Sequence, residues 1–127
     1  YVDYLKQDKK NNCSRIVDKS DPESKRAELE YKVLDCIQTE EKDPQYLSLV
    51  EIKLLTGRHH QIRVQFSGHG TPLYGDGKYG NNEKAVRKSL ALCACHLKFK
   101  HPATGKIMDF QIKPDTGAFK LFSKSND

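Results

Sequence analysis

Two apolar segments separated by a short polar turn constrain the fold of this chain more than any other feature. Tyr31–Ile37 and Tyr46–Leu54 are rich in β-branched and aromatic residues and partly alternate between apolar and polar positions, as half-buried strands do. The residues between them, Glu40–Pro44, are charged and end in proline, which favours a turn. The sequence therefore predicts an antiparallel pair of strands.

A second hairpin is predicted towards the C-terminus. Residues 90–100 and 106–113 have strand character, and the loop between them contains a proline and a glycine, which suit a tight reversal. Residues 115–122 carry apolar side chains at helical spacing and are expected to form a closing helix. We find no internal repeat.

The polar run T-G-R-H-H-Q-I-R follows the strand that ends at Leu54 and predicts a short helix. Thr56 is the expected N-cap, and Gly68 or Gly70 the expected end. By contrast, residues 1–28 show no sustained period and are predicted to be an irregular approach segment, with sheet and helices confined to residues 29–122. The predicted fold class is α+β, with a mixed, mainly antiparallel sheet, few helices and exposed sheet edges.

Charge and hydrophobicity narrow the function classes. The chain has 127 residues, about one domain at most, and no apolar run approaches the roughly 18 residues needed to cross a bilayer. The net charge of +5 is uneven, since residues 46–127 hold 13 Lys and Arg against 6 Asp and Glu, whereas residues 1–45 hold 9 against 11. A polyanion such as RNA or DNA is the predicted partner, with ordinary solvated lysines as the alternative.

The four cysteines indicate reduced thiols rather than a disulfide framework, because their spacings match no common pairing pattern. Cys93 and Cys95, with His96 and His101, offer an alternative as zinc ligands. On a strand, however, the two cysteines would share one face and His96 would point to the other. We predict two half-buried strand cysteines and no metal.

Arg58 and Arg63 are candidate anion-binding residues at the start of the predicted helix. They are five positions apart, so on a helix they do not share a face, and one can hold phosphate while the other holds a carboxylate. The alternative is a pair of solvated surface arginines. No acidic residue of the chain is an evident partner for Arg63, although a buried arginine without a carboxylate would be costly.

Three further side-chain types have candidate roles. The adjacent His59 and His60 point in different directions in a helix or a strand, which does not favour a catalytic histidine or a metal site. Asp76 lies among glycines and is interpreted as a turn aspartate that binds backbone amides, with a nucleophile or base as the alternative. Tyr74 and Tyr79 are candidates for stacking on exposed RNA bases.

Four motifs in order resemble the RluA-type RNA pseudouridine synthases. They are T-G-R-H-H-Q-I-R-V, G-H-G-T-P-L-Y-G-D-G-K-Y-G, L-A-L-C-A and F-K-H-P-A-T-G-K, and the resemblance extends from about Lys25 to Pro114. It implies isomerisation of uridine to pseudouridine in ribosomal or transfer RNA. An aspartate attacks a uridine flipped out of its stack, the glycosidic bond breaks, the uracil turns and a C5–C1′ bond forms, without any metal or organic cofactor.

The resemblance also assigns roles to individual residues. Arg63, the last residue of H-Q-I-R, is expected to pair with the catalytic aspartate and to help position it. In the third motif, Cys93 replaces the family's usual histidine, which leaves the packing role of the preceding leucine intact. The residues expected to bind the RNA or to shape its site are Arg58, His59, Gln61, Tyr79 and Leu92.

The R-L-D segment that carries the family's nucleophile is absent from these 127 residues, and the sequence starts without methionine. Residues 1–127 are therefore expected to be the C-terminal portion of one catalytic domain, inactive alone and able to self-associate where the missing N-terminal half would pack. We expect a cytoplasmic enzyme acting in rRNA or tRNA processing. The alternative hypothesis is a non-catalytic RNA-binding module or a degenerate family member.

Overall fold

The computed structural model describes residues 1–80 and 89–126, and its main feature is a four-stranded sheet. The sheet has the order β2-β1-β3-β4, and each neighbouring pair is antiparallel. The predicted α+β class with a mainly antiparallel sheet is confirmed. The strands are β1 (Val2–Asp8), β2 (Cys13–Ile16), β3 (Lys25–Gln38) and β4 (Tyr46–Leu54).

The hairpin of β3 and β4 confirms the predicted antiparallel pair. Its register runs from Leu29 opposite Leu54 to Gln38 opposite Tyr46. Strand β3 is longer than predicted, because its first residues pair with β1 before its later residues pair with β4. It is therefore the strand that joins the two halves of the sheet.

The prediction of an irregular segment at residues 1–28 is wrong, since this segment contains β1, β2 and the start of β3. The Asp8 carboxylate accepts hydrogen bonds from the amides of Lys10 and Asn11 in the connecting turn. Asn12 then adopts the left-handed conformation that asparagine tolerates, with φ at 48°. Most side chains of β1 remain at least partly exposed and only Leu5 is buried, so polar residues obscured the strand pattern.

Helix α1 (Gln61–Gly68) packs on this sheet and begins later than predicted. His60 precedes its first turn, whereas the Thr56 hydroxyl donates to the Gln61 side chain and accepts from the backbone amide of Glu28. The predicted end at Gly68 is confirmed. The helix buries one face against the sheet and forms a small core of Val64, Phe66, Leu5, Ala27 and Leu29.

The C-terminal hairpin is confirmed with shorter strands than predicted. Strands β5 (His96–Lys100) and β6 (Ile107–Gln111) pair antiparallel and form a separate two-stranded sheet. A 3₁₀ helix, Gly117–Asn126, occupies the place of the closing helix predicted at residues 115–122. Within the described residues, no helix is long and apolar enough to span a membrane.

Cys93 and Cys95 are half-buried as predicted, but they lie before β5 rather than on a strand. Just before them, the Ala91 amide donates to the carbonyl of Tyr74. All four cysteines are free thiols. No group of three His, Cys, Asp or Glu side chains within residues 1–80 and 89–126 is placed to hold a metal ion, so the zinc alternative gains no support there.

Large apolar side chains remain uncovered on both sheets. The exposed fraction is 50% for Leu34, 79% for Tyr46 and 60% for Leu97. Extended exposed apolar patches usually mark contact with another surface. The uncovered faces therefore fit a chain that packs against further protein.

Leu29 provides a test of the small core. Leu29→Ala should lower the free energy of unfolding by about 2–5 kcal/mol, because Leu29 is 1% exposed and its removal leaves a cavity. Urea unfolding of the 127-residue chain measures this change. Leu34→Ala, on the same strand but 50% exposed, is the matched control and should change stability far less. Equal losses for the two variants would contradict the described core.

Candidate active site

The start of α1 is held in place by Gln61, whose side chain is buried. Its Oε1 atom accepts from the Thr56 hydroxyl at 2.8 Å and from the Arg58 backbone amide at 2.9 Å. Its Nε2 atom donates to the carbonyl of Glu28 on β3 at 3.1 Å. Gln61 thus fastens the β4–α1 connection to the sheet, and this placement favours a structural role over direct contact with RNA.

Arg63 and Asp76 form a two-pronged ion pair at the centre of the site. The Arg63 Nε atom donates to Asp76 Oδ2 at 3.0 Å, and Nη2 donates to Oδ1 at 2.8 Å. The Asp76 side chain is fully buried, and that of Arg63 is 19% exposed. The expectation that Arg63 lacks an acidic partner in this chain is therefore wrong. Folding joins two residues whose pairing was not evident from their motifs.

The turn after Leu73 fixes the position of the Asp76 carboxylate. Its Oδ1 atom accepts from the backbone amides of Lys78 and Tyr79, which confirms the interpretation as a turn aspartate. Gly75 has a φ of 79°, and a Cβ atom there would collide with the carbonyl of Ser89. The glycines around Asp76 therefore serve a turn that aims the carboxylate at α1.

The pairing of Arg63 with Asp76 shifts the pKa of each side chain so that its charged form is favoured. Burial would raise the pKa of Asp76, but hydrogen bonds from Arg63, Tyr79 and Lys78 outweigh it and hold the pKa below its usual value. The hydrogen bond to Asp76 raises the pKa of Arg63. The pair is consequently ionised at neutral pH.

Tyr79 connects the ion pair to the N-terminal hairpin. Its ring lies 5.0 Å from the Arg63 guanidinium carbon, within range of a cation–π contact. Its hydroxyl accepts from the Ser14 amide at 3.0 Å and is hydrogen-bonded to His60 Nδ1 at 2.7 Å. Stacking of Tyr79 on an RNA base stays a prediction. Within the chain, the Tyr79 ring already contacts Arg63.

The two histidines extend the same network towards β2. His59 Nδ1 lies 2.8 Å from the Ser14 hydroxyl, and Nε2 lies 3.1 Å from Asn12 Oδ1. The rings of His59 and His60 stack at 3.8 Å. Burial lowers the pKa of His60, and the neighbouring His59, Arg63 and Lys78 lower it further. His60 is therefore neutral at physiological pH, and both rings serve as structural links.

Arg58 and Leu92 face outwards. The Arg58 side chain is exposed, and its Nε atom donates to the Arg26 carbonyl at 2.8 Å. This bond fixes the direction of the Arg58 side chain. Leu92 is 41% exposed and lines a wide open cleft that also reaches Phe66 and Asp76.

The structure therefore brings some predicted residues together and separates others. Arg63, Tyr79 and His59 belong to one network, and Gln61 supports it, whereas Leu92 lies on a separate segment along the cleft. Sequence reasoning missed Asn12 and Ser14, because both lie in the segment interpreted as irregular. The Asn-Asn pair before Cys13, a common turn composition, was the signal available.

Comparison with known proteins decides the family. The family model for RNA pseudouridylate synthases matches residues 2–68, just over half of the sequence. The chain belongs to the RNA pseudouridylate synthase family. The match includes Arg58 to Arg63 and ends before Asp76, so the carboxylate of the ion pair lies beyond it.

The curated relatives that this chain matches are considerably longer. An uncharacterized RNA pseudouridine synthase of Aquifex aeolicus is 40% identical over 103 residues, which cover 74% of this chain and 31% of the relative. The ribosomal large subunit pseudouridine synthase D of Zymomonas mobilis is 37% identical over 110 residues, covering 80% and 32%. The chain thus spans about a third of the length of these relatives.

A solved structure shares the fold. Human RNA pseudouridylate synthase domain containing 1 superposes with a TM-score of 0.70, at 22% identity, over 90% of this chain and 47% of that one. The architecture described here is therefore that of about half of a pseudouridylate synthase domain chain.

His60 gives the site a testable pH dependence. Its pKa is lowered on folding, so the unfolded chain binds the proton more readily, and stability falls as pH drops below the unfolded value of about 6.5. Urea unfolding at about pH 7.5 and pH 5.5 should show this loss in the wild-type chain and a smaller loss in His60→Gln. An equal loss in both proteins would contradict a neutral His60 in the folded state.

Proposed function

We propose that this chain is the C-terminal portion of the catalytic domain of an RNA pseudouridine synthase that isomerises uridine in ribosomal or transfer RNA. Family membership and the Arg63 site support the proposal. The observation that carries it is an ionised arginine, held in a two-pronged ion pair with Asp76, within a motif that resembles the family's. Arg63 faces the nucleophilic aspartate, which a part of the protein outside these 127 residues supplies.

The reaction needs little chemistry from this chain itself. The aspartate attacks C1′ of the uridine as the glycosidic bond breaks. The released uracil turns and bonds to C1′ through C5, which displaces the aspartate, and C5 then loses its proton. Arg63 keeps the aspartate ionised and in place, because a guanidinium fork binds a carboxylate in a fixed geometry. Leu92 lines the cleft at the position of the leucine that packs near the uracil. No cofactor takes part.

The exposed surfaces of the chain agree with a catalytic domain whose other half supplies the nucleophile. The apolar side chains left uncovered on β3, β4 and the β5–β6 hairpin form the face on which the N-terminal half packs. The same faces give the isolated chain a tendency to self-associate. The exposed Arg58 side chain, in the positively charged part of the sequence, contacts RNA phosphate. Four free cysteines agree with action in the reducing cytoplasm.

Tritium release from RNA labelled at uridine C5 tests the proposal. The full-length protein that contains this chain should release tritium, and the 127-residue chain alone should not. Absence of release by the full-length protein on any RNA tested would favour the non-catalytic RNA-binding module. Release by the isolated chain would show that its own residues include the nucleophile.

Two arginine variants of the full-length protein separate chemistry from binding. Arg63→Lys keeps a positive charge beside Asp76 but loses the fork, so kcat should fall about 100-fold or more with little change in RNA affinity. Arg58→Ala should instead weaken RNA binding and keep kcat at saturating RNA. Filter binding and single-turnover assays measure both quantities. Wild-type turnover in Arg63→Lys would contradict the role of Arg63.

A further inference from the structure

The Asp76 carboxylate is the most completely fixed acidic group in the described part of the chain. Its Oδ1 atom accepts from Arg63 Nη2 at 2.8 Å and from the amides of Tyr79 and Lys78 at 3.0 and 3.1 Å. Its Oδ2 atom accepts from Arg63 Nε at 3.0 Å. The side chain has no solvent-exposed surface, and the Gly80 amide donates to its backbone carbonyl. Asp76 therefore cannot turn to act as a nucleophile or base without breaking this arrangement.

Arg63 uses only one edge of its guanidinium group in this contact. The Nε and Nη2 atoms are bound to Asp76, and the ring of Tyr79 restricts the plane of the group from one side. Among the described residues, Nη1 has no hydrogen-bond partner. Because the guanidinium fork is rigid, fixing one edge fixes the direction of every remaining N–H group.

The contact with Asp76 also changes the electrostatic effect of Arg63 on a second carboxylate. The charge of Arg63 is already balanced by Asp76, so a second carboxylate would meet a neutral pair with oriented donors rather than a free cation. Such a pair binds a carboxylate through directed hydrogen bonds and leaves more of the negative charge on the incoming oxygen. A carboxylate held in this way is positioned without being fully neutralised, which suits a nucleophile.

We propose that Asp76 is a positioning residue, which holds Arg63 so that its unused edge presents hydrogen-bond donors to the nucleophilic aspartate. This inference rests on the proposed function. It gives the motif G-H-G-T-P-L-Y-G-D-G-K-Y-G a task in catalysis, although the Asp76 carboxylate does not touch the RNA. Tyr79 assists by covering the face of the guanidinium group.

The test is Asp76→Asn in the full-length protein, since asparagine keeps the shape but loses the charge and one acceptor. We expect kcat to fall about 10- to 100-fold, while KM and RNA affinity stay within about twofold. Asp18→Asn is the matched control, because the Asp18 carboxylate accepts from Ser20 in an exposed turn, and it should leave kcat unchanged. Wild-type kcat in folded Asp76→Asn would overturn the inference.

A double-mutant cycle with Arg63→Lys shows whether Asp76 acts through Arg63. Both single variants break the same contact, so the double variant should lose little more activity than the worse single variant. Fully additive losses would overturn the positioning role. An inactive wild-type protein would instead refute the proposed function, so the two failures are distinguishable.

A second measurement needs no variant and no activity. In ¹⁵N NMR of the 127-residue chain, the Nε–Hε proton of Arg63 should exchange with water much more slowly than that of Arg15, whose side chain is exposed. Exchange as fast as that of Arg15 would show that Asp76 does not hold the arginine and would overturn the inference.

Discussion

The ion pair between Arg63 and Asp76 is the interaction on which the site depends. A buried carboxylate and a mostly buried guanidinium group are tolerated only because each neutralises the other and both carboxylate oxygens accept hydrogen bonds. Helix α1 contributes one partner and the glycine-rich turn the other, so the pair also fixes the position of that turn on the helix.

Local pattern was sufficient for the parts of the fold whose strands bury apolar residues. The β3–β4 hairpin and the C-terminal hairpin were predicted because β-branched and aromatic residues alternate between recognisable turns. The N-terminal hairpin was missed because its strands bury few residues, and β1 is held in the sheet by pairing with β3 on one side and β2 on the other. A hairpin at the edge of a sheet has a weak sequence signature, because pairing with the rest of the sheet, rather than local preference, determines its structure.

The site was predictable to a different degree. Motif resemblance located Arg63 and its neighbours, but the partner of Arg63 was overlooked because Asp76 stood in a turn-forming context that already explained it. The Asp76 carboxylate makes both sets of contacts. Its Oδ1 atom accepts from the turn amides, and both of its oxygens accept from Arg63. Similarly, Gln61 was expected to contact RNA, and its side chain is buried and bonded to the Glu28 carbonyl, because a motif marks position in sequence and not the direction of a side chain.

The contacts that complete the site join residues far apart along the chain. Ser14 meets His59 and Tyr79 across 45 and 65 residues, and Lys78 meets the backbone of Asn12 across 66. Contacts of this separation form late, after large loops have closed. The histidines and Tyr79 beside Arg63 therefore take their positions only when β1 and β2 have assembled with α1, although Arg63 and Asp76 are only 13 residues apart. Damage to the β1–β2 turn would therefore disturb His59 and Tyr79 and, through the Tyr79 ring, the ion pair of Arg63 and Asp76.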